Sequence, residues 1–239
     1  MGEKILITGG SGFIGSEVVA IALARGDEVL NLDINPPRDA AQAPFWRQID
    51  VRDRDAVMGA ITAFAPDRLL HLASDIDITI QNLAEFRTTI GGTANVLAAA
   101  AQLPQLKRFV HVSTQFVVKP GVEPRDERFL DPYTVYGEAK AETEKLVWNA
   151  NLSMPWFILR PVIIWGPHHP TFAREIFRHM RSGRYLHPVD RTPISRAFGY
   201  VTNVADQMMA FATMDAAQAK RHVYYVGDES IDYDMWADA

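Results

Sequence analysis

Between Ile7 and Ser16 the chain reads TGGSGFIG, and no other stretch restricts its fold so strongly. The apolar run Ile5–Thr8 leads into it. A helical pattern, Phe13–Arg25, leads out and stops at Gly26, a residue suited to the C′ position of a helix. Strand, glycine-rich turn and helix in that order make a phosphate-binding unit. Gly9 permits the tight turn, Gly12 lets backbone approach a pyrophosphate, and Gly15 lets the helix pack close to the strand. The helix N-terminus adds free N–H groups and a positive dipole end. A glycine pattern alone is weak evidence, but here an acid follows about 20 residues on, where a dinucleotide site needs one. It is Asp33, near the end of the next run, Glu28–Ile34. A carboxylate there accepts both ribose hydroxyls of NAD and repels the 2′-phosphate of NADP. Arg38 lies nearby and softens that preference, which still favours NAD.

The alternation continues along the chain. Asn35-Pro36-Pro37 closes the second strand, and a short strand falls near Phe45–Ile49. Then come helix Arg54–Phe64, strand Arg68–Ala73, helix Leu83–Gln102, strand Arg108–Ser113, helix Tyr133–Asn151 and strand Phe157–Arg160. This is the pattern of a doubly wound α/β fold, a mostly parallel sheet with helices on both faces. Near-continuous apolar runs such as RLLHLA fit strands buried on both sides. After Gly166 the texture changes. Pro167 to Arg196 is rich in Pro, His and Arg, with one helical piece, Phe172–Arg181. Helix Asn203–Met214 and strand His222–Val226 return to the main sheet. The expected division is a dinucleotide-binding domain of residues 1–166, rejoined by 197–226, and a small substrate-binding region of 167–196 and 227–239. With 239 residues, 48% of them hydrophobic, the chain can bury a core of that size.

Other features narrow the function. Net charge is −5 with no long basic run, which argues against nucleic acid and anionic membrane surfaces as partners. There is no cysteine, so disulfides and cysteine–zinc sites are excluded and a reducing compartment is permitted. MGEKILITGG enters a strand pattern without the apolar region of a signal peptide. Trp156–Gly166, the most apolar later stretch, is interrupted by Arg160 and Pro161 and is too short to span a bilayer. A soluble, cytoplasmic protein is the expectation. His168, His169 and His187 form no recognised metal pattern, and no metal site is expected. Arg174, Arg178 and Arg181 share a helix face and read as a solvated stripe rather than a phosphate site.

Five motifs in fixed order carry a family resemblance. They are TGGSGFIG, Asp50-Val51 after the third strand, HLAS (His71–Ser74) at the fourth, VST (Val112–Thr114) at the fifth, and YGEAK (Tyr136–Lys140). Together they resemble the extended short-chain dehydrogenase/reductase family, and within it the NAD-dependent sugar epimerase/dehydratase branch. The resemblance covers nearly the whole chain. It implies a Rossmann sheet that retains NAD, a small C-terminal substrate domain, a nucleotide-sugar substrate and a homodimer through Leu83–Gln102 and Tyr133–Asn151. It further implies that Gly9, Gly12 and Gly15 cradle the pyrophosphate, with the Phe13 and Ile14 backbone close by. Asp33 would hold the adenosine ribose, Asp50 and Val51 would meet the adenine edge, and Leu72, Ala73 and Ser74 would line the cofactor path. His71 is read as a buried strand residue. Arg196, in the run RAFGYV, matches the family position whose arginine binds a nucleotide-sugar diphosphate. Chains of this branch continue beyond a point equivalent to Ala239, so the substrate region is expected to be incomplete here.

The chemistry centres on YTVYGEAK, Tyr133–Lys140. Tyr136 and Lys140 stand one helical turn apart on one face. A free tyrosine titrates near ~10, and a nearby ammonium favours phenolate, so Lys140 is expected to pull Tyr136 toward neutrality. Lys140 can also bond the nicotinamide ribose, and Thr114, ending the fifth strand, can bond the substrate oxygen. Tyr133 competes: if the helix begins there, it lies two turns from Lys140 on the same side. Only Tyr136 fits the Tyr-x-x-x-Lys spacing, which leaves Tyr133 a packing or pocket role. The implied reaction is hydride transfer between NAD and a secondary alcohol, as in an epimerase or dehydrogenase. Thr114-Gln115-Phe116 lacks the two acids that follow the threonine in sugar 4,6-dehydratases, which argues against that reaction. Thr89 stands where the family often has asparagine, and Val117-Val118-Lys119 replaces its Val-Tyr-Gly. Two rival functions remain: a ketoreductase of the same fold acting on a non-sugar alcohol or ketone, and an NAD(H)-sensing regulator without turnover.

Overall fold

The computed structural model describes residues 2–77, 79–169, 177–184 and 195–232. In chain order its elements begin with β1 (Lys4–Thr8), α1 (Phe13–Ala24), β2 (Glu28–Asp33), β3 (Trp46–Gln48), α2 (Arg54–Phe64) and β4 (Arg68–His71). They continue with α3 (Thr93–Ala100), β5 (Arg108–Val112), α4 (Val135–Asn149), β6 (Trp156–Pro161) and β7 (Ile163–Trp165). Last come α5 (Phe177–Arg181), β8 (Ser195–Tyr200), α6 (Val201–Thr213), β9 (Val223–Val226) and β10 (Ser230–Asp232).

Among the described residues seven strands form the main sheet in the order β3-β2-β1-β4-β5-β6-β9. Every neighbouring pair is parallel. The reversal of direction beside β1 is the switch point of a doubly wound sheet, and ligands bind where the strand C-termini open there. Thr8 pairs with Leu32 on one side and His71 on the other, so three loops leave the sheet level with one another. They carry Gly9, Asp33 and Leu72.

Alternation along β1 sends Ile5 and Ile7 to one face, where they meet Val18 and Val19 of α1 and Met208 of α6. Leu6 faces the other way, onto Val57 and Ile61 of α2 and Val96 of α3. Both faces are covered, which is why the strands read as continuous apolar runs. Asp53 caps α2 by accepting from the Ala56 N–H at 3.0 Å, a contact worth about 1 kcal/mol. Ala65, at φ 52°, ends that helix ahead of Pro66.

Two expectations are corrected. Leu83–Gln102 is not one helix. A 3-10 turn (Leu83–Glu85) and a π turn (Thr88–Gly92) precede α3. The Thr-Thr-Ile-Gly-Gly run is a poor α-helix former, and Gly92 lies so close to Val51 that an added Cβ would approach its Cγ2 to 2.5 Å. The helix carrying YGEAK begins at Val135, not Tyr133. Thr134 is its N-cap, accepting from the Gly137 N–H at 2.9 Å. Tyr133 therefore precedes the helix, and the two-turn argument that made it a competitor does not apply.

Strands β7, β8 and β10 were not anticipated. They form a three-stranded sheet in the order β10-β8-β7. Residues 197–200 thus belong to this small sheet, and the return to the main fold starts with α6. Arg196 pairs with Ile231 in the backbone register, and its side chain lies outside the described residues. Arg174 and His187 also lie outside them, as does the first half of the helical piece expected over Phe172–Arg181. Among the described residues no helix is long and apolar enough to cross a membrane.

Candidate active site

The glycine turn is built from backbone. Gly9 has φ +74°, and a Cβ there would stand 2.6 Å from the Ala73 nitrogen. A Cβ on Gly15 would fall inside the Gly9 carbonyl oxygen, so α1 can pack this close to β1 only with glycine at that position. Gly12 differs: among the described residues its Cβ would meet only the Gly9 oxygen, at 3.1 Å. No side chain caps α1 at Gly12, and the first-turn N–H groups have no partner inside the helix. The Asp33 carboxylate closes the turn, accepting from the Ser11 N–H at 3.0 Å and the Asn35 N–H at 2.9 Å. A tight turn, Gly12 and a carboxylate beside them fit the pyrophosphate and ribose of a dinucleotide. The His169 ring stands edge-on to Phe13, centroids 4.8 Å apart, so a loop histidine lies beside this turn.

The other cofactor candidates follow the same sheet edge. Val51 is buried under Gly92, and its carbonyl accepts from Asn95 Nδ2 at 3.0 Å. Asp50 is engaged by Arg52, Nε to Oδ2 at 2.9 Å, and that guanidinium holds its carboxyl below the usual range. Leu72 N–H donates to the Thr8 carbonyl at 3.0 Å, and Ala73 N–H to Thr8 Oγ1 at 3.4 Å. Ser74 Oγ lies 3.0 Å from Thr89 Oγ1. Thr89 in turn donates its N–H to Asp75 Oδ2 at 3.0 Å and accepts from the Asp75 N–H at 2.9 Å.

At the catalytic corner β5 and α4 meet. Thr114, 6% exposed, follows β5 and caps the short turn Gln115–Val117. Tyr136 enters from α4, whose next residue must be glycine because a Cβ there would strike the Phe116 carbonyl. Lys140, one turn on and 3% exposed, donates from Nζ to the Val112 carbonyl at 2.6 Å. The three side chains thus converge where β5 ends, with Phe86 and Phe116 rings each 6.2 Å from that of Tyr136. Tyr133 packs on Phe116 at 5.6 Å and stays 45% exposed, outside the corner.

The electrostatics correct one expectation. Burial pushes the Tyr136 phenol up, from 10.0 to about 12, while the Thr114 hydroxyl acts in the opposite direction. Burial lowers Lys140 from 10.5 to about 8, against the pull of Glu144 and Asp75. Lys140 is turned to a backbone carbonyl, and the cost of enclosing a phenolate outweighs the help of the Thr114 hydroxyl.

His71 is a buried strand residue, as expected. Its Nδ1 lies 2.6 Å from Thr8 Oγ1 and its Nε2 2.9 Å from Thr93 Oγ1. Burial lowers it to about 3, so it stays neutral. Sequence reasoning quoted Ser113 and Arg160 within motifs but did not foresee that both lie enclosed behind the corner and bond Glu144. The available signal was Glu144 one turn beyond Lys140. It also missed the Thr89–Asp75 pair.

Comparison with known proteins gives a consistent picture. A family model described as "NAD dependent epimerase/dehydratase family" matches residues 5–227. A 3-beta-hydroxysteroid dehydrogenase of Mycolicibacterium neoaurum is 29% identical over 94% of this chain and 65% of its own length. A dTDP-glucose 4,6-dehydratase of Neisseria meningitidis is 32% identical over 70% of this chain and 55% of its own length. The chain thus spans less than two thirds of either relative. A solved UDP-glucose 4-epimerase from Thermus thermophilus, in complex with NAD, superposes with a TM-score of 0.74 at 26% identity, covering 96% of this chain and 79% of that one.

Proposed function

The chain belongs to the NAD-dependent epimerase/dehydratase family, and we propose that it moves hydride between NAD and a secondary alcohol through Tyr136, Thr114 and Lys140. The observation that carries this is the convergence of those side chains at the end of β5, on the sheet edge that also bears the glycine turn. Gly9, Gly12, Gly15 and the Phe13 and Ile14 N–H groups take the pyrophosphate. Asp33 takes the adenosine ribose, Asp50 and Val51 border the adenine, Leu72 to Ser74 line the path, and Lys140 holds the nicotinamide ribose. When bound, NAD supplies the acceptor for the hydride leaving the alcohol carbon. Tyr136 reacts as its phenolate, formed against the burial that otherwise keeps it protonated; the phenolate oxygen receives the hydroxyl proton, and the Thr114 hydroxyl steadies the substrate oxygen. In the reverse direction Tyr136 returns that proton to a ketone oxygen. The buried walls around Tyr136 exclude water from the transfer.

For substrate, we favour a nucleotide-activated sugar, held at its diphosphate by Arg196, in a homodimer. Similarity to a dTDP-glucose 4,6-dehydratase and a UDP-glucose 4-epimerase supports that class. Thr114-Gln115-Phe116 disfavours 4,6-dehydration itself. A second reading, a ketoreductase or dehydrogenase for a bulky apolar alcohol, is favoured by the Phe86 and Phe116 rings flanking Tyr136 and by similarity to a steroid dehydrogenase. Native mass spectrometry of the purified chain against UDP-sugars, dTDP-sugars and sterols separates the two. Retained NAD with a bound nucleotide-sugar is expected. Sterol binding with no nucleotide-sugar response would replace the first reading by the second.

A further inference from the structure

Behind the catalytic corner, buried polar groups that the proposed chemistry does not use form one connected unit. Glu144, on α4 one turn beyond Lys140, is fully enclosed, and Arg160 on β6 is 1% exposed. Their ion pair is bidentate, Nε to Oε1 at 2.9 Å and Nη2 to Oε2 at 2.7 Å. Ser113 Oγ donates to the same Oε1 at 2.6 Å. Arg160 is held from behind by the Tyr225 hydroxyl of β9 at 3.3 Å, and by the Glu127 and Phe129 carbonyls at 3.4 Å each.

A buried ion pair of this kind adds little net stability, because enclosing two charges costs about what their attraction returns. What is specific here is where its third member sits. Ser113 stands between Val112, whose carbonyl takes Lys140, and Thr114. Its N–H is also fixed, donating to the Leu159 carbonyl at 2.7 Å. We propose that Glu144, Arg160 and Ser113 are positioning residues that lock the end of β5, so that the Val112 carbonyl and the Thr114 hydroxyl keep Lys140 and Tyr136 in register. This rests on the reading of Thr114, Tyr136 and Lys140 given above. The linkage runs from β9 through Tyr225 and Arg160 to α4 and then, through Ser113, to both contacts. Misplacing such contacts by about 1 Å is enough to cost on the order of a hundredfold in rate. Glu144 and Asp75 are the carboxylates whose charge reaches Lys140, and the neighbouring His71 and His111 are neutral there, lowered by their own burial.

The test needs no substrate. Wild type, Ser113→Ala, Ser113→Thr and Lys140→Ala are titrated with NADH, followed by its fluorescence, and melted in parallel. Lys140→Ala fixes the size of the lysine's contribution. Ser113→Ala is expected to weaken NADH binding by about tenfold, and Ser113→Thr, which restores the hydroxyl, to return it within about twofold. If Ser113→Ala does not fold, Ser113→Cys, close in volume with a weak donor, is read the same way. Unchanged NADH binding in a Ser113→Ala protein that melts lower would make the unit merely structural and overturn the proposal. Unchanged binding in Lys140→Ala would remove the lysine reading itself, a separate and recognisable failure.

Discussion

The two ends of the site are made of opposite materials. The glycine turn after β1 is made of closely packed backbone, closed by the one carboxylate of Asp33 that accepts from the Ser11 N–H. The corner between β5 and α4 is packed with enclosed charge: Lys140, Glu144 and Arg160, each 3% exposed or less. One end should fail when an atom is added, the other when a charge is removed or left alone. Substitutions can break that contrast or sharpen it.

The largest effect is expected at the charged end. Arg160→Met leaves Glu144 enclosed without its partner and should cost about 3–5 kcal/mol, read by urea unfolding. The double variant Arg160→Met/Glu144→Leu should recover most of that loss, since no charge then remains unpaired. A double variant as unstable as the single one would show that shape, not charge, governs this end.

Next comes pH. Lys140 titrates near about 8 in the folded protein and at 10.5 unperturbed, so the unfolded chain binds the extra proton between those values. Folding penalises the ammonium fully below pH 8, and the penalty lifts as pH rises toward 10.5. Relative to Lys140→Met, the wild type should gain about 3 kcal/mol across that window. Tyr136 runs the other way: raised to about 12, its phenol favours the folded state, and that contribution is lost above pH 10. The Lys140→Met comparison is therefore best read below pH 10. A flat difference there would mean that Lys140 is not desolvated.

The smallest effects belong to the glycine turn, where they should be sharply unequal. Gly15→Ala forces a Cβ onto the Gly9 carbonyl and should cost about 2 kcal/mol as α1 shifts from β1. Gly12→Ala meets, among the described residues, only one atom, at 3.1 Å, and should change stability by under about 1 kcal/mol while weakening NADH binding. Equal losses of stability at both positions would contradict the distinct roles assigned to them.

The same contrast explains what was legible. The glycine turn is contiguous, so TGGSGFIG and Asp33 are readable from spacing, as are α2 over Arg54–Phe64 and the parallel strand–helix alternation of the main sheet. The charged end joins α4, β5 and β6, and nothing in the sequence around Glu144 says that Ser113 and Arg160 will close on it. YGEAK names the pair but not its surroundings, and burial reversed the expected direction of the Tyr136 shift. The helix expected over Leu83–Gln102 breaks because Gly92 must lie against Val51 while Thr89 turns to Asp75. Strand β8 escaped because its partners, β7 and β10, are short and distant in the chain.

The central claim is that Tyr136 is the group that moves the proton. The most direct measurement takes the purified chain with bound NAD, adds the alcohol substrate found by mass spectrometry, and follows NADH absorbance in a single turnover. Tyr136→Phe removes one oxygen and should bind NADH like the wild type while forming NADH about 10²–10⁴-fold more slowly. A Tyr136→Phe protein that reduces its NAD at the wild-type rate would contradict the claim and return Tyr136 to a packing role.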